Sequence, residues 1–144
     1  MPRKQSPPNP ELQKILMQHM QRVFYWSLVP FVMGCVLLLL NKPMGWFACI
    51  GAFLFCLREP LEYSRSKKSS VSRFREERHF LNGMFAGIFS QFAARMFDGS
   101  PVDRLGPDNR LWFLVVTATL LTIYSVLEGK LMRQTAALLD EPTG

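Results

Sequence analysis

His19 and His79 are the two side chains best suited to hold a metal ion or move a proton near neutral pH. A metal site on a helix needs a second ligand on the same face, and neither histidine has one at i+3 or i+4. Cys35, Cys49 and Cys56 stand inside apolar segments without C-x-x-C spacing, which suits small buried hydrophobes. Arg95 lies in or near the end of the third apolar segment, with Asp98, Asp103 and Asp108 in the following loop to offer it partners, and Glu128 ends the fourth, with Lys130 beside it. Arg95 is a candidate either for structural neutralisation or for a transport role, and Glu128 for an interfacial pair. No glycine-rich phosphate loop, G-x-S-x-G elbow or intramembrane carboxylate pair appears, so we expect no enzyme activity, no cofactor and no catalytic or metal-ligating residue.

What could position these residues is a set of apolar blocks. Val23 to Leu40 and Leu111 to Leu127 are nearly unbroken apolar runs, each about 26 Å long as a helix and close to the roughly 30 Å of a bilayer core. Met44 to Leu57 is shorter, and Phe80 to Phe97 carries Asn82, Gln91 and Arg95. The Asn41-Lys42-Pro43 turn forces an immediate return, because backbone polar groups cannot stay unsatisfied in lipid. The expected fold is therefore all-α, an integral membrane protein with four transmembrane helices preceded by a short amphipathic helix. The divisions are an N-terminal arm and amphipathic helix (1–22), a first transmembrane hairpin (23–57), a basic loop (58–79), a second hairpin (80–128) and a polar tail (129–144). Met1 to Pro10 is polar and proline-rich, and we expect no signal peptide.

Asn9-Pro10-Glu11 is a helix start, and Leu12, Ile15, Leu16 and Met20 then recur at helical spacing, as in a helix lying in the interface plane. Pro30 removes one backbone hydrogen bond and predicts a kink. Lys and Arg number thirteen in the arm, the 58–78 stretch and the tail, against three (Lys42, Arg104, Arg110) on the other side. That asymmetry predicts four spans with both ends on the cytoplasm-like face. Within the stretch, Arg65, Lys67, Lys68, Arg73 and Arg75 suit anionic phospholipid head groups such as those of cardiolipin. Aromatic side chains are not interleaved with them in the manner a nucleic-acid surface needs, so no nucleic-acid partner is expected.

Gly83, Gly87, Ser90 and Ala94 follow one another at spacings of four, three and four, and Ala118, Thr122, Ser125 and Gly129 repeat the pattern. Each set forms a smooth strip on one helix face, and small strips let helix backbones approach in lipid. We expect the last two spans to pack on each other through them.

The elements Phe80-Leu81-Asn82-Gly83-Met84-Phe85-Ala86-Gly87, Ala93-Ala94-Arg95 and Leu127-Glu128-Gly129 come in an order that resembles one family. It includes the channel-type subunits of the mitochondrial inner-membrane protein translocases, certain peroxisomal membrane proteins and a four-helix accessory subunit of respiratory complex I. The resemblance covers about Arg75 to Gly129 and implies a four-helix protein of the mitochondrial inner membrane. It also implies that both termini face the intermembrane space, whereas charge counting puts them on the matrix side. The function expected from the sequence is a non-catalytic accessory subunit packing between other membrane subunits and lipid, with complex I as first choice. The alternatives are a component of a protein-translocating or solute channel lined by Arg95 and Gln91, and a peroxisomal or endoplasmic-reticulum membrane protein.

Overall fold

The computed structural model describes residues 9–97 and 106–140, apart from the side chains at 92, 93 and 95–97. Four α-helices follow in order, α1 (Pro10–Leu39), α2 (Met44–Ser66), α3 (Val71–Phe97) and α4 (Gly106–Asp140), and the described residues contain no strand. The described residues are thus all-helical, and three of the helices, α1, α2 and α4, are long and apolar enough to cross a membrane, as in a multi-pass membrane protein. The fourth helix, α3, is not among them, because a charged first half precedes its apolar one.

Local chemistry sets the helix ends. The Asn9 side chain accepts a hydrogen bond from the Glu11 backbone N–H at 2.9 Å, and Pro10 opens α1 with its missing donor where none is needed. At the other end Asn41 takes a left-handed φ of 55°, tolerated by its short polar side chain, and the Lys42 N–H returns to the Leu37 carbonyl at 2.8 Å. The α2–α3 turn closes when the Arg73 N–H donates to Ser70 Oγ at 3.5 Å, the cap that starts α3. Lys42, in the first turn, pairs with Asp108 at the start of α4 at 3.3 Å, which ties the α1–α2 turn to the first turn of α4.

The first two helices meet backbone to backbone. A Cβ placed on Gly34 would lie 2.7 Å from the Gly45 carbonyl oxygen, and one on Gly45 would lie 2.5 Å from that of Gly34. Only glycine at both positions permits this approach, which is how helices associate where lipid removes the hydrophobic drive. The core has two parts. Leu37, Ala48, Val116 and Leu120 join α1, α2 and α4 within the apolar zone. Leu12, Leu16, Val71, Phe74 and Leu131 form the other cluster, joining α1, α3 and α4, with Tyr63 of α2 packed against it.

The second cluster corrects two expectations. The stripe of Leu12, Ile15 and Leu16 is the α1 side of an internal core and not the apolar face of a separate helix, since α1 runs without a break from this stretch into the apolar segment and through Pro30. Likewise 58–79 is not a loop. It is the last turns of α2 and the first of α3, joined by a short turn, and with the ends of α1 and α4 it builds a polar-faced extension of the bundle beyond the apolar blocks.

Candidate functional site

Between the two apolar clusters lies a layer of buried charge to which each helix sends a side chain. The position follows from helical periodicity. Buried residues of α1 run Leu12, Leu16, His19, Val23, Ser27 and Pro30, so His19 occupies the inward stripe just before the apolar segment. Arg78 continues the stripe of Val71 and Phe74 on α3, and Glu59 lies seven residues beyond Ala52 on the inward face of α2. On α4, Glu128 is buried beside Leu127 and Leu131.

Arg78 is the centre, with its side chain wholly removed from solvent. Its Nε donates to both carboxylate oxygens of Glu128 at 3.1 Å, and its Nη2 donates to Glu59 Oε1 at 2.8 Å and to Glu128 Oε1. Glu62 stands 3.9 Å from Nη1. His19 Nε2 is 3.2 Å from Glu59 Oε2, 3.7 Å from Glu128 Oε1 and 3.3 Å from Arg78 Nη2. A guanidinium can only donate, so the imidazole nitrogen either donates to a carboxylate or accepts from Arg78. Burial works against the arginine's charge. The Glu128 hydrogen bonds and the charges of Glu59 and Glu128 outweigh it, which holds Arg78 protonated well above the usual arginine range.

The network continues toward the apolar zone. Asn82 Nδ2 donates to Glu128 Oε2 at 3.2 Å, the Tyr124 hydroxyl donates to Asn82 Oδ1, and Arg58 Nη1 donates to the Tyr124 oxygen at 2.9 Å. On the α1–α4 side, Arg22 Nη1 donates to Gln134 Oε1 at 3.2 Å. The layer therefore joins all four helices through directional, charge-assisted bonds.

Atoms of His19, Glu59 and Glu128 all lie within 4.8 Å of one another, a spacing that could hold a metal ion. Arg78 Nη2 sits within hydrogen-bonding distance of all three residues and supplies the positive charge at that place itself. With its carboxylates engaged and no member more than slightly exposed, the layer is built to fix helices.

The expected site residues fall elsewhere. Glu128 is buried on Arg78, while Lys130 is exposed, so the interfacial pairing expected for Glu128 is replaced by a buried one. Gly83, Gly87, Ser90 and Ala94 are exposed, as are Ala118, Thr122 and Ser125, with Gly129 half-buried. A Cβ at Gly83, Gly87 or Gly129 would meet nothing within 4 Å, so the two small strips do not close on each other within the chain. What joins α3 to α4 is the apolar cluster of Val71 and Phe74 with Leu131 together with the bonding of Arg78 and Asn82 to Glu128 and of Tyr124 to Asn82, while Phe80, Met84, Phe85 and Ile88 stand exposed further along α3. Arg65, Lys67, Lys68 and Arg73 are exposed and Arg75 is half-buried, Arg73 pairing with Glu77 at 3.2 Å. The side chain of Arg95 lies outside the described residues.

His19, Glu59 and Arg78 are the site residues that reading by composition misses. Their signal was the continuation of the inward stripe through segments dominated by charge. Compared with protein-family models, curated proteins and solved structures, the chain matches none of them.

Proposed function

We propose that this chain is a non-catalytic accessory subunit of a larger membrane assembly, crossing the bilayer four times with both ends on one side, and that it works by fitting between other subunits and lipid. The observation that carries this is the contrast between the two ends of α3. Its first half is locked into the bundle through Arg78, and its second half, Phe80 onward, offers exposed Phe80, Met84, Phe85 and Ile88 and an open Gly83–Gly87 strip. A chain that fixes a helix so firmly at one end and leaves the other uncovered presents a surface for something outside itself.

The resemblance of the Phe80–Gly87, Ala93–Arg95 and Leu127–Gly129 elements to the translocase-channel family favours the mitochondrial inner membrane, with respiratory complex I as the first assembly to test. The exposed Arg65, Lys67, Lys68 and Arg73 suit the anionic head groups of such a membrane. The test is blue-native electrophoresis of a tagged copy with mass spectrometry of co-migrating proteins. Migration in a high-mass band with defined membrane subunits is expected; migration as a free monomer overturns the proposal.

A further inference from the structure

We propose that Arg58 anchors the phosphate of a single membrane phospholipid, whose acyl chains fill the opening between α2 and the apolar half of α3. This rests on the membrane reading above. Arg58 is the first charged residue after the apolar segment of α2, at the depth where lipid phosphates lie. Its guanidinium is held in place. The carbon at its centre is 5.1 Å from the Phe85 ring centroid and 5.4 Å from that of Tyr124, while Nη1 donates to the Tyr124 oxygen at 2.9 Å and Nη2 to Asn82 Oδ1 at 3.5 Å. Those contacts leave the Nε–H and the second hydrogen of each terminal nitrogen without a protein acceptor among the described residues. No carboxylate forms an ion pair with Arg58 among the described residues, so its charge is available to a phosphate oxygen.

The apolar part of the site follows from the helix faces. Arg58 and Phe85 meet across α2 and α3, so the residues one turn deeper on the same faces, Leu54 on α2 and Ile88 on α3, would be covered if the helices stayed together. They are 57% and 50% exposed. Leu54 and Ile88 thus stand uncovered below Arg58, an apolar surface beneath a fixed cation. That combination matches a phospholipid: phosphate at the boundary and acyl chain in the cleft.

The experiment is native mass spectrometry of the full chain released from mild detergent after incubation with phosphatidylcholine, phosphatidylglycerol or diacylglycerol of the same acyl chains. We expect the wild type to retain one phospholipid and no diacylglycerol. Arg58→Ala should lose it and Arg58→Lys should retain less, since a point charge lacks the planar fork. Leu54→Trp and Ile88→Trp should expel the lipid by filling the cleft with Arg58 in place, which decides the matter even where Arg58→Ala fails to fold. Equal retention of diacylglycerol, lipid kept by both tryptophan variants, or a cleft crosslinked to a second copy or another protein through Leu54→Cys would overturn the proposal. Release of the wild-type chain from membranes by alkaline carbonate would instead remove the membrane reading beneath it, a distinguishable result.

Discussion

The Nε of Arg78 sits 3.1 Å from both carboxylate oxygens of Glu128, a two-point contact between residues 50 positions apart that fixes where α3 meets α4. The two charges are removed from water at some cost in solvation, and the structure offsets it with Glu59 on the same guanidinium.

Removing one partner leaves the others charged and unpaired. Arg78→Met is therefore expected to destabilise the bundle by about 3–5 kcal/mol, and Glu128→Gln by somewhat less because Glu59 still binds the arginine. Unfolding of the detergent-solubilised chain by increasing sodium dodecyl sulfate, followed by circular dichroism, measures both. The double variant should recover part of the loss, and additive losses would show that the contact does not couple the helices.

A second expectation concerns what Arg78 displaces. With its guanidinium gone, His19, Glu59 and Glu128 would present three ligand atoms within 4.8 Å to any available cation, a set that suits zinc. Arg78→Ala should gain a zinc-dependent rise in unfolding midpoint absent from the wild type, and His19→Ala in the same background should abolish it. Zinc without effect on Arg78→Ala would mean that these side chains do not converge once the arginine is removed.

The close approach of α1 and α2 makes its own demand. A Cβ on Gly45 would stand 2.5 Å from the Gly34 carbonyl oxygen and 2.8 Å from the Leu38 nitrogen, backbone atoms that cannot swing aside. Gly45→Ala and Gly34→Ala should each cost about 1–3 kcal/mol as the helices are pushed apart. The same denaturant titration reads the loss, and an unchanged midpoint would contradict the backbone contact.

Much of this architecture was legible in the residues, and the parts that were not share one cause. Val23 to Leu40 and Leu111 to Leu127 declare themselves by length and hydropathy, and Asn9, Pro10 and Asn41 mark helix ends by their own chemistry. Glu59, Arg78 and His19 lie in stretches so rich in charge that hydropathy reads them as solvated, although each falls at core spacing from Ala52, Phe74 and Leu16. Their burial depends on partners on other helices, which spacing within one helix cannot reveal. The small strips failed in the opposite direction: a strip shows that close packing is possible, and it does not say against what.

Arrangement in the membrane gives a further test. The charged layer is supplied by the N-terminal part of α1, the C-terminal part of α2, the first half of α3 and the C-terminal half of α4, and the proposed four crossings with both termini on one side predict one protection pattern. Epitope tags at the two termini should be digested together in one orientation of sealed membrane vesicles and protected together in the other. Opposite protection would make α3 a helix that stays on one side and leave three crossings. The side on which the tags lie also decides between charge counting, which favours the matrix, and the family resemblance, which favours the intermembrane space.

The open strip on α3 separates folding from assembly. Because a Cβ at Gly83 or Gly87 meets nothing within 4 Å, alanine there should leave the isolated chain intact and add helix propensity, up to about 1 kcal/mol per site. Leucine at both positions should leave the detergent unfolding midpoint close to that of the wild type, since the added bulk points into open space. In membranes the same double variant should drop out of the high-mass band on blue-native gels and accumulate as free subunit, because a partner helix needs those positions smooth. Unimpaired assembly of the leucine variant would show that the uncovered half of α3 faces lipid alone.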